Sequence, residues 1–70
     1  MPLEERIKKV KELRKRTMDL YILNSSDTNS YKMKMLISNI SYFITMNNTL
    51  PEDKRLEIPS NFSKVMKLNV

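Results

Sequence analysis

The fold is decided by residues 3–23, which read LEERIKKVKELRKRTMDLYIL. Apolar side chains recur here at steps of three and four residues, the spacing that places them on one face of an α-helix. They are Leu3, Ile7, Val10, Leu13, Leu20 and Tyr21, with Thr17 and Met18 completing the stripe. Pro2 suits the first turn of a helix, and Glu4 and Glu5 suit its positive end. The pattern therefore predicts one amphipathic helix over this whole stretch.

A second helix, over residues 28–47, is predicted after a run of short polar residues that compete with a helical backbone for hydrogen bonds. Its N-cap is expected among Ser26, Asp27 and Thr28. One broad apolar face runs along this helix, formed by Met33, Leu36, Ile37, Ile40, Phe43 and Ile44 and flanked by Tyr31, Met35, Tyr42 and Met46. Two long helices joined by a short loop pack antiparallel, so residues 3–47 predict a helical hairpin.

The remainder is predicted as a linker over residues 48–59 and a short terminal segment over residues 60–70. The terminal segment fits a helix capped by Ser60, although Met66, Leu68 and Val70 alternate as a strand would. We favour the helix because no partner strand exists. We expect its apolar residues to fold back over the hairpin while the linker stays mobile. The prediction is a single all-α domain over residues 1–70, a long antiparallel helical hairpin plus a short C-terminal helix.

The chemistry available to the chain is narrow, because its 70 residues include no Gly, Ala, Cys, His, Trp or Gln. Without Cys or His, a disulfide, a structural zinc site or a His-activated nucleophile cannot form. We therefore predict no catalytic residue, no metal site and no cofactor, and a protein that is not an enzyme. No apolar stretch has the length of a signal-peptide core or a membrane span, so we expect a cytoplasmic protein without membrane contact.

A basic stripe near the amino terminus is the first candidate binding feature. Residues 4–16 hold seven basic and three acidic side chains, a net charge of +4 out of +5 for the chain. The basic residues are Arg6, Lys8, Lys9, Lys11, Arg14, Lys15 and Arg16. They suit an acidic protein partner or non-specific contact with nucleic-acid phosphates, and a solvated helix surface is an equal alternative. No aromatic side chain interleaves them to stack on bases.

The apolar face of the second helix is the other candidate, because it is wider than one neighbouring helix can cover. We predict a protein interface there, formed by Met33, Ile37, Ile40, Phe43 and Ile44, and hence a homodimer or a hetero-complex. The methionines and aromatic residues of this helix also suit an adaptable binding surface. The alternative is that the face simply forms the core and a self-association surface.

Residues 26–70 resemble the Hha/YmoA family of small helical expression modulators. Ser26-Asp27 opens the long helix as in that family, Thr45-Met46-Asn47 follows near its end, and Ile58-Pro59-Ser60 precedes the terminal segment. The resemblance implies no enzymatic activity and a role in silencing AT-rich genes by binding the nucleoid protein H-NS. The family's polar Ala-Asp-His-Arg run falls on Ile37-Ser38-Asn39-Ile40, so its partner-contacting side chains are absent here.

The hairpin is also similar to the short helical phosphatases that act on the sporulation response regulator of bacilli. Leu13-Arg14 matches their first helix, but Ser41 stands where they have an essential Asp. That resemblance implies binding to a response regulator without hydrolysis. We favour a non-enzymatic regulator of gene expression that acts by protein–protein contact, with the phosphatase-like regulator and a basic nucleic-acid-binding accessory protein as alternatives.

Overall fold

The protein is an all-α helical hairpin followed by a short C-terminal helix. A computed structural model describes residues 2–26 and 29–68, and no strand occurs among them. The helices are α1, Leu3–Ser26; α2, Ser30–Asn48; and α3, Ser60–Leu68, with a 3₁₀ turn at Glu52–Lys54 before α3. The predicted fold class is therefore confirmed, and the ambiguous terminal segment is a helix. The hairpin is elongated, with extents of 38 × 19 × 15 Å.

α1 continues three residues beyond its predicted end. The hydroxyls of Ser25 and Ser26 donate to the carbonyls of Ile22 and Leu23, over 2.6 and 3.1 Å. Short polar side chains were expected to end the helix by competing for backbone groups. Here they bond to carbonyls within their own last turn, which lack helical N–H partners, and the helix is thereby prolonged.

α2 begins later than predicted and is capped by a different residue. The Asn29 side chain accepts a hydrogen bond from the Lys32 backbone N–H over 2.9 Å, the geometry of a strong N-cap. Of the three residues expected as caps, Ser26 is still part of α1, and Asp27 and Thr28 lie outside the described residues. Asn29 is the N-cap because its side-chain oxygen reaches the Lys32 N–H in the first turn of α2.

The core is formed mainly by α2 and α3. Its fully enclosed apolar side chains are Val10, Leu36, Ile40, Phe43, Leu50, Phe62 and Val65. Phe43 and Phe62 meet edge to face, with ring centroids 5.9 Å apart and an interplanar angle of 82°. This geometry is favourable between aromatic rings, and it ties α3 to the hairpin. The predicted folding back of the terminal segment over the hairpin is thus confirmed.

The core assignment corrects part of the predicted interface. Ile40 and Phe43 each have 0% exposure within a single chain, so they offer no surface to a partner. The reason is that α3 covers them. Met33, Ile37 and Ile44 are partly buried and pack against the same core.

The linker is anchored, contrary to the expectation that it is mobile. Asn47 is buried, and its carboxamide makes two hydrogen bonds to the backbone of Leu56. Its Nδ2 donates to the Leu56 carbonyl over 2.9 Å, and its Oδ1 accepts from the Leu56 N–H over 2.8 Å. Leu50, at only 2% exposure, holds the same segment to the core.

Two arginines close the carboxyl-terminal end of α2. Arg6 donates to the Thr49 carbonyl over 2.6 Å, which brings the start of α1 against the end of α2 and shows that the two helices are antiparallel. Arg55 donates to the carbonyls of Leu50 and Asn48, each over 3.1 Å. Cations at this end of a helix complement its dipole and satisfy carbonyls that have no helical partner.

We predict that Asn47→Leu destabilises the fold by about 2 kcal/mol, because both backbone groups of Leu56 lose their partner in a partly buried position. Asn48→Leu is the matched control, since the Asn48 side chain is exposed one residue away. Urea unfolding measures both variants. Equal losses of unfolding free energy in the two would contradict the anchoring role of Asn47.

We further predict that Phe62→Ala costs about 3–5 kcal/mol, the usual range for emptying a buried aromatic site. A loss of this size approaches the whole stability of a domain this small, so the variant should be largely unfolded. Lys64→Ala, at an exposed position of the same helix, should keep the wild-type circular dichroism melt. An unchanged melting temperature for Phe62→Ala would mean that α3 does not hold the core.

Candidate protein-binding surface

The predicted basic stripe does not form one surface. Successive residues of an α-helix are rotated by about 100°, so clustered charges in a sequence are spread around the helix. Arg6 donates a hydrogen bond to the Thr49 carbonyl at the end of α2, and its predicted contact with a partner stays a prediction. Lys8 is exposed and lines neither of the two places where the other basic residues gather.

Lys11, Arg14 and Lys15 line a pocket of about 410 Å³ between α1 and the linker just before α3. Its wall also includes Asp19 and Glu57. Two carboxylates among three cations reduce the positive potential that would attract phosphate. Part of the basic stripe is therefore gathered in a cleft of mixed charge.

Lys9 and Arg16 lie on the other side of α1, where it faces α2. They line a groove of about 200 Å³ together with Glu12, Leu13, Tyr42 and Met46. A second groove of about 260 Å³ lies between the same helices nearer the connection. It is lined by Leu20, Leu23, Asn24, Tyr31, Lys32 and Met35.

The two grooves belong to one side of the hairpin, which we call the open face. It consists of Lys9, Leu13, Arg16, Leu20 and Leu23 from α1 and Tyr31, Met35, Tyr42 and Met46 from α2. The α1 residues are spaced alternately by four and three, and the α2 residues by four, seven and four. Both spacings keep side chains on a single stripe of a helix, so the two grooves lie on the same flank of the hairpin.

Four large side chains of the open face are exposed, whereas Leu13, Leu20 and Met46 are partly buried against the core. Tyr31 is 72% exposed, Leu23 58%, Tyr42 54% and Met35 40%. Large exposed apolar side chains that share one side of a domain make that side a candidate binding surface. Tyrosine and methionine are also enriched at the centres of protein interfaces.

The open face lies on the opposite flank of α2 from most of the predicted interface. Met35 and Ile37 are the two neighbours of the buried Leu36, and each is rotated by about 100° from it, in opposite directions. Ile37 packs on the core with Met33 and Ile44, whereas Met35 is exposed. Of the methionines and aromatic residues predicted as an adaptable surface, Tyr31, Met35 and Tyr42 are exposed, Met33 and Met46 are partly buried, and Phe43 is fully buried.

One sequence signal could have identified the open face. From Lys9 to Leu23, a second set of residues follows an alternating spacing of four and three, beside the stripe that contains Val10. It describes a second seam on α1, next to the one that packs on α2. When the two seams are interpreted as one broad amphipathic face, the open face is not distinguished from the face that packs on α2.

The described residues contain no group of three or more His, Cys, Asp or Glu side chains placed to hold a metal ion. None of the helices in that part of the chain combines the length and the apolarity needed to cross a bilayer. Ser41, which stands at the essential Asp of the phosphatases, is exposed on α2.

No family model, curated protein or solved structure matches the chain. The two resemblances drawn from the sequence therefore stay predictions. The structure also differs from what one of these resemblances implies. Ser26 ends α1 and α2 begins at Ser30, so Ser26 does not open the long helix as the Hha/YmoA resemblance expects.

We predict that Tyr31→Ala and Tyr42→Ala each change the free energy of unfolding by less than about 0.5 kcal/mol, as is usual for surface positions. Phe43→Ala, next to Tyr42 but fully buried, should cost about 3–5 kcal/mol. Chemical denaturation compares the three variants. A loss for Tyr42→Ala that approached the loss for Phe43→Ala would show that the open face is part of the core.

Proposed function

We propose that the protein is a non-enzymatic regulator of gene expression that acts by protein–protein contact, in its most specific form with an H-NS-like nucleoid protein. The observation that carries the proposal is the open face, with its exposed Leu23, Tyr31, Met35 and Tyr42. A hetero-complex with such a partner is the assembly that we favour, and a cytoplasmic location follows from it.

The size of the surface supports a role in binding. The chain exposes 5135 Å², whereas a compact monomer of its 8.3 kDa would expose about 4,600 Å². The difference reflects a narrow hairpin that is covered by α3 on only one flank. A small domain of this shape gains stability when a partner covers the remaining apolar side chains.

The link to gene regulation rests on the resemblance to the Hha/YmoA family. Two of its three motifs fall at positions that matter in the fold. Thr45-Met46-Asn47 includes Met46 of the open face and the buried Asn47, and Ile58-Pro59-Ser60 leads directly into α3. These positions support a comparable use of the second helix and the tail.

Direct binding to nucleic acid is the competing function, and the cluster of Lys11, Arg14 and Lys15 favours it. Such binding would depend on phosphate contacts, so its affinity would fall steeply with added salt and would show little dependence on sequence. An enzyme is disfavoured because the chain has no His or Cys and Ser41 replaces the phosphatase carboxylate. No phosphate release from a phosphorylated receiver domain is expected.

The test is a titration of the purified protein against an H-NS-like nucleoid protein and, separately, against duplex DNA. We expect saturable binding to the protein with a dissociation constant of about 1 μM or lower, and DNA binding that is lost between about 50 and 200 mM salt. Tyr42→Ser, a variant of the open face, should weaken binding to the H-NS-like protein. DNA binding that is tighter than protein binding at the higher salt concentration would reverse the assignment.

A further inference from the structure

The open face has the shape of a groove that fits a helix. From Lys9 to Leu23 it follows α1 for fourteen residues, which is about 21 Å or four helical turns. The two grooves lie in line along this length, between α1 and α2. A groove between two antiparallel helices is filled well by a third helix, which converts a hairpin into a bundle.

The charges around the two grooves select the kind of helix. Their lining holds three cations, Lys9, Arg16 and Lys32, and a single acid, Glu12. The apolar residues lie between these charges, as in an interface with a hydrophobic centre and a polar rim. The complementary ligand is apolar on one side and acidic along its edges.

A second copy of the chain does not satisfy this requirement. Each copy carries a net charge of +5, so the basic rims of two copies repel each other when their open faces meet. The chain's own α3 is already engaged, since Phe62 and Val65 are buried in the core, and its exposed Lys64 and Lys67 are basic. The occupant is therefore supplied by a different protein.

We infer that the open face binds an acidic amphipathic helix of a partner protein, seated between α1 and α2. Leu23, Tyr31, Met35 and Tyr42 contact its apolar side, and Lys9 and Arg16 contact its carboxylates. Tyrosine adds apolar area together with a hydroxyl for the rim, and methionine adapts to the shape of the ligand. This inference rests on the proposed role in protein binding and names the chemistry of the partner.

The structure offers a matched pair of variants for the test. Ile22 and Leu23 are neighbours on α1 and are both 58% exposed, but only Leu23 lines the open face. Replacing either by Ser removes a similar apolar side chain from the same helical turn. If the surface bound its ligand by non-specific hydrophobic contact, both substitutions would lower the affinity equally. At a defined site, only Leu23→Ser lowers it.

The probe is a fluorescently labelled synthetic helix of about 18 residues, or about 27 Å, with Leu on one face and Glu along its edges. We expect fluorescence anisotropy to give micromolar binding to the full chain. Affinity should be at least about tenfold lower for a peptide with Lys in place of Glu, for a scrambled acidic peptide and for the variants Leu23→Ser and Tyr42→Ser. Ile22→Ser should bind as the wild type does, and circular dichroism should confirm that all variants are folded.

Three results would overturn the inference: equal binding of the Lys peptide or the scrambled peptide, an equal effect of Ile22→Ser and Leu23→Ser, or a dimer in sedimentation that the acidic peptide does not disrupt. The outcome is separable from that of the proposed function. Peptide binding without binding to an H-NS-like protein would retain the surface and reject that partner. Binding to an H-NS-like protein without binding to the peptide would retain that partner and reject the acidic helix as the ligand.

Discussion

The fold is constrained by α1, which contributes a single fully buried apolar side chain to the core. Its fully buried residues are Val10, Thr17 and Asn24, spaced seven residues apart, and only the first is apolar. Thr17 turns its hydroxyl to the Leu13 carbonyl over 2.7 Å. The other apolar residues of α1 that pack on the core are only partly buried, and partial burial contributes less to stability than full burial; they are Ile7, Leu13, Met18, Leu20 and Tyr21. Further apolar burial comes from α3, whose Phe62 lies against Phe43.

The packing of α3 makes the two flanks of the hairpin unequal. α3 and the anchored linker cover the flank of α2 that carries Ile37 and Ile44, and the other flank keeps its large side chains in solvent. The polar seam has a second consequence. Asn24 donates to the carbonyls of Leu20 and Lys32 over 3.0 and 3.3 Å, which links the last turn of α1 to the first turn of α2. Polar groups buried at such positions specify register, so the open face is held in a fixed alignment.

The sequence predicts the helices well because their periodicity is local, and it predicts the site poorly because the site depends on distant parts of the chain. The second helix has apolar residues on both flanks of Leu36. Which flank becomes core is decided by the path of the chain after Pro59, and nothing in the periodicity of α2 encodes that path. The Asn47–Leu56 pair and the Arg55 contacts leave no periodic signature either, so the linker was expected to be mobile.

The same asymmetry connects stability with binding. A hairpin with a weak apolar seam has two places where a third helix can add burial, and its own α3 fills one of them. The other place is the open face, which has a basic rim and exposed tyrosine and methionine side chains. The polar seam of α1 thus has two effects. It leaves more of the apolar burial to the terminal helix, and it leaves a groove with exposed apolar side chains along the hairpin, which is the site that we propose for a partner helix.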